Sequence, residues 1–360
     1  MKIDQFLNKI LHGNSLELLK KIPNESIDLI FADPPYNLQL KKSLYRPDQS
    51  KVNGVNEDWD NFENFQNYDQ FTVAWAKNCR NLLKANGSMW VIGSYHNIYR
   101  LGYILQNLGF WVLNDVIWIK SNPMPNFRGR RFTNAHETLL WVCKNKNSKY
   151  TFNYEAMKSL NGDLQMRSDW YLPICTGSER LKDENGIKAH PTQKPENLIS
   201  RIIMASSNIN DIVLDPFFGT GTTGVVSKRL NRNFIGIEQN IQYIKYAQNR
   251  IQKTPTIKSI DVIQTPPKQK LKRIPFGSLL EKGLIIPGEL LTDLRKRWTA
   301  KVRADGSLIS KDSKGSIHAV GATLQGLPAC NGWTFWHIKR SGKLIPIDNL
   351  RHAARAVNQA

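Results

Sequence analysis

The chain has 360 residues, a hydrophobic fraction of 41% and a formal net charge of +20 at pH 7. Such a length and apolar content support a full core and exclude a largely disordered chain, and the charge points to a polyanion, nucleic acid before an anionic membrane. No stretch approaches the ~18 apolar residues of a membrane span, the N-terminus lacks the apolar run of a secretory signal, and the 4 cysteines form no C-x-x-C pair, which excludes zinc and redox motifs of that spacing and fits reduced thiols in a cytoplasmic protein.

Residues 9–12 read as a short strand. Gly13 ends it, and Asn14-Ser15 offers an N-cap to a helix. Residues 27–31 read as a buried strand that runs into Asp33-Pro34-Pro35-Tyr36. Neither proline can donate to a sheet ladder, so the chain must leave the sheet at Asp33 in a stiff, extended turn. The Asp33 carboxylate and the Pro34 carbonyl can accept the two N–H bonds of an exocyclic amine, and Tyr36 can stack on the ring that carries it.

Residues 38–66 are polar with interspersed aromatics, the composition of a lid or DNA-contacting loop. Helical spacing predicts a helix over 68–84 that stops near Asn86-Gly87, then a strand over 88–93 and an amphipathic helix over 97–108. Two further strands, 110–120 and 137–144, read as a hairpin at the sheet edge. The Pro- and Arg-rich segment between them carries Arg128, Arg130 and Arg131 as candidate DNA contacts. Residues 145–190 read as irregular. Pro195 opens a helix, residues 211–215 form a strand, and residues 216–223 make a Gly-rich turn into a helix. A strand over 234–238 and a helix over 240–252 follow. Strands and helices alternate from 8 to 252, so the expected fold class is α/β, a doubly wound and mostly parallel sheet.

The expected organisation is a main domain over 1–260 with a target-recognition region at about 121–190, a basic linker over 261–274, and a smaller β-rich module over 275–360. Residues 265–360 hold 17 Lys+Arg against 6 Asp+Glu. Trp333, Trp336, Lys339 and Arg340 in the module are candidate DNA contacts, with the rings offered for stacking.

The second candidate site is Asp215-Pro216-Phe217-Phe218-Gly219-Thr220-Gly221-Thr222-Thr223. Glycines after a strand let the backbone approach a ligand, and Glu238, at the end of the next strand, can accept from both hydroxyls of a ribose. No phosphate-binding G-x-x-x-x-G-K-[ST] occurs. A cofactor with adenosine and no phosphate, S-adenosylmethionine, is therefore favoured.

With Asp33-Pro34-Pro35-Tyr36 first, His190-Pro191-Thr192-Gln193-Lys194-Pro195 next and the cofactor motif last, about the first 250 residues resemble the β-group DNA N6-adenine methyltransferases. Asn122-Pro123-Met124-Pro125-Asn126-Phe127, Arg131-Phe132-Thr133-Asn134-Ala135-His136-Glu137-Thr138 and the basic C-terminal unit make the likeness closest to the cell-cycle-regulated, CcrM-like members, which act on GANTC. The resemblance implies Asp33, Pro34, Pro35 and Tyr36 as the catalytic set. It implies Asn14, Asp33, Lys194, Asp215, Phe217, Gly219, Gly221, Thr222, Thr223 and Glu238 as contacts of S-adenosylmethionine. Where the family often has Gly-Asp this chain has Gly13-Asn14, which should tune cofactor affinity. Double-stranded DNA at the nucleoid is the implied partner and a membrane is not, while a homodimer stays open. An N4-cytosine methyltransferase and a catalytically silent DNA-binding regulator remain as alternatives. No metal-ligand spacing is present among the histidines.

Overall fold

The computed structural model describes residues 2–37, 44–45, 51–52, 60–126, 129–184, 186, 188–257 and 273–356. The chain divides into two units, Met1–Lys268 and Gln269–Ala360. Most of the polar loop over 38–66, Arg128 and all of the basic linker before Arg273 lie outside the described residues.

In the first unit the strands are β1 (Lys9–His12), β2 (Ile27–Ala32), β3 (Leu44–Tyr45), β4 (Lys51–Val52), β5 (Leu83–Gly93), β6 (Trp111–Lys120), β7 (His136–Cys143), β8 (Asp169–Leu172), β9 (Ile212–Asp215) and β10 (Asn233–Glu238). The helices are α1 (Ser15–Leu18), α2 (Phe65–Leu82), α3 (Ile98–Asn107), α4 (Tyr154–Ser159), α5 (Glu196–Ser206), α6 (Thr222–Arg229) and α7 (Ile241–Lys253). Eight strands form one sheet in the order β1-β10-β9-β2-β5-β7-β6-β8. The first five run parallel, β7 is antiparallel to both β5 and β6, and β8 pairs parallel with β6. β3 and β4 make a separate antiparallel ribbon.

Alternation along β2 explains why both faces are covered. Ile27, Ile30 and Ala32 face a core built with Trp75, Cys79 and Leu82 of α2 and Leu101 and Leu105 of α3. Leu29 and Phe31 face the opposite core, with Leu198, Ile199, Ile202 and Ile203 of α5 and Val226 of α6. Burying each such side chain contributes roughly 1.5–3 kcal/mol, and a strand apolar on both faces is stable only between two helical layers.

Three expectations change. The segment 145–190 is not wholly irregular, since it supplies α4 and β8. β8 covers the outer side of β6, so the β6–β7 pair is not the sheet edge. Asn86-Gly87 does not follow a helix C-terminus but lies inside β5, where the pairing with β2 shifts register between Ile27 and Leu29. A side chain at Gly87 would meet the Ile27 carbonyl at 2.9 Å, so only glycine fits the bulge.

The second unit is a six-stranded antiparallel sheet, β14-β13-β12-β11-β15-β16, built from β11 (Leu290–Thr292), β12 (Thr299–Val302), β13 (Leu308–Ile309), β14 (Lys314–Gly315), β15 (His337–Arg340) and β16 (Lys343–Pro346). Ser341 and Gly342 join β15 to β16 with φ of 47° and 80°, the left-handed pair that tight hairpins need. Helices Ile317–Gln325, Gly332–Phe335 and Ile347–Ala356 close one core around Trp336 and Leu291.

Candidate active site

β2 and β9 are parallel neighbours in register Leu29↔Val213 and Ile30↔Leu214. From β2 the chain proceeds to β5 on one side, and from β9 to β10 on the other, so the strand order reverses between them. Ligands of doubly wound sheets bind at this switch point, beyond the carboxyl ends of the strands. Asp33 follows β2, Asp215 ends β9 and Glu238 ends β10. A cavity of about 210 Å³ opens there, with Asp33, Pro34, Pro35 and Tyr36 on one wall and Gly219, Thr220 and Glu238 on the other.

The Asp33–Tyr36 turn is braced from three elements. The Tyr36 and Asn37 N–H groups donate to one oxygen of Asp60, at 2.5 and 2.8 Å. The Tyr68 hydroxyl of α2 donates to the Pro35 carbonyl at 3.0 Å and accepts from the Asn97 amide at 3.1 Å. The Tyr36 hydroxyl donates to Glu137 Oε2 at 3.0 Å. Lys194 Nζ lies 2.8 Å from Asp33 Oδ2, 3.8 Å from Glu137 Oε2 and 5.2 Å from the centre of the Tyr36 ring. Lys120 Nζ completes the group 2.8 Å from Glu137 Oε1.

Two carboxylates and two ammonium groups thus share a buried, balanced cluster. Burial pushes Asp33 above its ordinary carboxylate value, and the Lys194 ammonium opposes that push. Burial acts on Glu137 the same way, but Lys194 and Lys120 together outweigh it and hold Glu137 below the usual range. For Lys194, burial favours the neutral amine, and the charges of Asp33 and Glu137 overcome it and raise the ammonium's pKa. Burial and the adjacent carboxylates keep the Tyr36 hydroxyl protonated well above its ordinary range.

On the opposite wall Glu238 accepts from the Gly219 N–H at 2.8 Å through Oε2 and from the Asn240 N–H at 2.7 Å through Oε1. Each oxygen keeps a lone pair, as a ribose diol requires. Phe71, Phe217 and Tyr243 supply aromatic lining. The His190 ring packs on Tyr243 at 4.6 Å, and burial with the Lys194 and Arg180 charges lowers its pKa to about 3, so it is neutral at physiological pH. Asp33, Asp60 and Glu238 face the cavity with Lys194 as the one cation among its described lining residues. Three carboxylates against one paired ammonium disfavour a phosphate and suit a cationic nucleoside.

The expected cofactor residues separate into two groups. Asn14, Asp33, Lys194, Phe217, Gly219, Thr222 and Glu238 line the cavity, whereas Asp215, Gly221 and Thr223 lie behind its wall. Asp215 is consumed by the loop itself: its oxygens accept from the Phe217 N–H at 3.0 Å and the Thr223 hydroxyl at 2.6 Å. A Cβ on Gly221 would meet the Ala247 Cβ at 2.7 Å, so this glycine lets α7 approach the turn. The Asn14 side-chain oxygen caps α1 by accepting from the Leu16 N–H at 2.8 Å, so its first task is local.

The candidate DNA residues also divide. Trp333 and Trp336 are corrected: both are buried in the second unit's core, Trp336 completely, with its ring N–H donating to the Ile317 carbonyl at 2.9 Å. Neither is available for base stacking. Arg340 is held by both oxygens of Glu289, at 2.6 and 3.1 Å, and its charge is largely answered there. Lys339 is exposed on β15. In the first unit Arg130 and Arg131 are exposed beside Tyr95 and the fully exposed Phe132, in an open groove that leads to His136 and so to Glu137. Sequence reading missed Glu137, Lys120, Asp60, Tyr68 and Asn97. Only Glu137 left a trace, as the one acid in an apolar strand.

A doubly wound sheet with a cavity at its switch point, where Asp33 follows β2 and Glu238 ends β10, is the fold of S-adenosylmethionine-dependent methyltransferases. The chain belongs to the DNA methylase family of N6 and N4 methyltransferases, whose profile matches residues 27–249. Residues 261–360 match a second family, described as Restriction Enzyme Adenine Methylase Associated. Type II methyltransferase M.HinfI of Haemophilus influenzae is 49% identical over 354 residues, 97% of each chain. Type II methyltransferase M2.LlaDCHI of Lactococcus lactis subsp. cremoris is 46% identical over 248 residues, 69% of this chain and 90% of its own. Among solved structures, the M1.HpyAVI–SAM complex is 32% identical with a TM-score of 0.50, over 68% of this chain and 98% of that one. The cytosine-N4-specific PvuII DNA methyltransferase, 24% identical with a TM-score of 0.52, covers 67% of this chain and 85% of its own, a likeness of fold. The protein is a DNA methyltransferase, and DNA is its substrate. Among the described residues no helix is long and apolar enough to cross a membrane, and no cluster of His, Cys, Asp or Glu could hold a metal.

Proposed function

We propose that this chain methylates N6 of adenine in double-stranded DNA, with GANTC as its site and S-adenosylmethionine as the methyl donor. The observation that carries the reading is the placement of Asp33, Pro34 and Tyr36 across one cavity from Glu238 and Gly219. Glu238, Phe217, Gly219 and Thr222 would hold the cofactor's nucleoside. The cofactor supplies a methyl group on a positively charged sulfur, which the acidic lining suits.

The amino nitrogen of adenine is a poor nucleophile because its lone pair is spread into the ring. Asp33 and the Pro34 carbonyl accept its two N–H bonds and draw that lone pair out of the ring. Positive charge then grows on the nitrogen beside the Asp33 carboxylate, an interaction stronger in the transition state than in the ground state. Tyr36 stacks on the base after it has left the duplex, offsetting about 1–3 kcal/mol of an unstacking cost of a few kcal/mol. Lys194 covers one face of the Tyr36 ring, so the base takes the other.

Adenine is favoured over cytosine by the aspartate at position 33, where the N4-cytosine group usually has serine, and by the C-terminal family match. GANTC, and a role in cell-cycle-timed methylation at the cytoplasmic nucleoid, rest on the likeness of residues 122–127 and 131–138 to the CcrM-like enzymes. Arg130, Arg131 and Lys339 are the expected DNA contacts, with the second unit contributing backbone affinity. Methylome sequencing of DNA from cells expressing the protein should show N6-methyladenine in GANTC. N4-methylcytosine would overturn the base, and another sequence would overturn the site.

A further inference from the structure

We propose that Glu137 is a positioning residue for methyl transfer: it draws the Lys194 ammonium off Asp33 and pins the Tyr36 hydroxyl, so that the Asp33 carboxylate is released to the incoming amine. The proposal rests on the acceptor role of Asp33 and adds a residue that the motif does not contain.

The conflict that Glu137 resolves is geometric. Asp33 must accept from the target amine, yet one of its oxygens is occupied by Lys194 at 2.8 Å. An ammonium there competes with the amine for the carboxylate and cancels the negative charge that the developing cation needs. Lys194 cannot simply turn to water, because it is buried. Glu137 offers the alternative partner 3.8 Å away, a movement of about one ångström for a flexible chain end. Lys120 keeps Glu137 charged and fixed from its other oxygen. The same Oε2 that would receive Lys194 already holds the Tyr36 hydroxyl, so the stacking ring and the movable cation are set by one carboxylate.

The groups facing Asp33 come from four directions. Lys194 stands on the segment before α5, with Arg180 and the neutral His190 beyond it. Glu137 and, through it, Lys120 come from β7 and β6. Tyr36 and Asp60 belong to its own turn and brace, and Asp215 lies below on β9. Of these, Lys194 and, more weakly, the Tyr36 hydroxyl lower the proton affinity of Asp33, and Glu137 raises it.

Removing the Glu137 charge therefore does two things with one sign. It takes a negative neighbour from Asp33 and leaves Lys194 wholly on Asp33. The rate should fall while the acid limb of the pH–rate profile moves to lower pH. Lys194→Met should move the limb the other way.

Single-turnover methyl transfer to a GANTC duplex, measured across pH with cofactor affinity by calorimetry, tests this. Glu137→Gln should lower the plateau about 10–100-fold, shift the acid limb down by roughly half to one pH unit and leave the cofactor Kd within about threefold. Because the single change leaves an unbalanced buried charge, the double variant Glu137→Gln/Lys120→Met is measured beside it and should show the same shift in a charge-balanced core. Tyr36→Phe should lower the plateau about 3–10-fold with no downward shift of the limb, because the Tyr36 hydroxyl itself lowers the proton affinity of Asp33. A uniform loss of rate with an unmoved profile in the double variant would assign Glu137 to structure alone and overturn the proposal, as would a wild-type rate. Asp33→Ala run in parallel separates the two claims: if it keeps its activity the acceptor reading itself fails, whereas an inactive Asp33→Ala beside an unchanged Glu137→Gln defeats only the role of Glu137.

Discussion

Lys194 Nζ sits 2.8 Å from Asp33 Oδ2, joining the segment before the cofactor strand to the turn after β2. The lysine was expected among the cofactor contacts. Its nearest partner is the Asp33 carboxylate, the acceptor of the proposed reaction. Asp33→Asn keeps the shape of this contact and removes the charge. We expect methyl transfer to fall by about 10²–10⁴-fold, with duplex and cofactor affinities changed far less, as measured by radiolabel transfer and calorimetry.

Glu238→Ala should act on the opposite wall. It removes the acceptors of the Gly219 and Asn240 N–H groups together with the proposed ribose partner. Cofactor Kd should rise about 10–100-fold, consistent with losing a charge-assisted bidentate contact. An unchanged Kd would remove Glu238 from the cofactor site.

Asp215 gives a pH dependence. Burial raises its pKa from an ordinary 3.8 to about 7, against the hydrogen bonds from Thr223 and Phe217. The folded state therefore binds the proton more tightly than the unfolded state. Its contribution to stability is full below about pH 4 and is lost as pH rises through about 7, to the extent of about 2–4 kcal/mol. Asp215→Asn should flatten this part of the profile and raise Tm relative to the parent at pH 8 more than at pH 5. Equal Tm differences at both pH values would contradict the assignment.

Gly221→Ala tests the packing role of this turn glycine. Its φ is 79°, and the added Cβ would lie 2.7 Å from that of Ala247. A loss of about 1–3 kcal/mol is expected from thermal unfolding. The cofactor Kd should change less than in Glu238→Ala.

The second unit separates core from surface. Trp336→Ala should cost about 3–5 kcal/mol, because the ring is completely buried among Ile317, Leu291 and Ile347. Lys339→Ala should leave stability within about 0.5 kcal/mol and reduce the salt slope of DNA binding by about one. An unchanged slope would withdraw Lys339 from the DNA surface.

What could be read in advance followed from local constraint. The prolines after Asp33 force an exit from the sheet wherever the strand ends, and the glycines after Asp215 announce a tight turn into a helix. The parallel pairing of β2 and β9 then brings those two exits together, as the alternation of strands with helices along the chain implies. What stayed hidden depends on register and on contacts between distant segments. β8 has only Trp170 and Leu172 to mark it, too few to show alternation. The β5 bulge looks like a helix stop because Asn-Gly serves both. Glu137 gains its meaning only when β7 runs antiparallel to β5 and delivers it to Tyr36. Trp333 and Trp336, interleaved with basic residues, resemble a stacking surface until the helices of the second unit close over them.

The most direct test of the central claim is mass spectrometry of nucleosides from a duplex carrying one GANTC site, treated with the protein and isotopically labelled S-adenosylmethionine. Labelled N6-methyldeoxyadenosine from the parent protein, and none from Asp33→Asn, is the predicted result. Labelled N4-methyldeoxycytidine, or methyladenine that persists in Asp33→Asn, would contradict it.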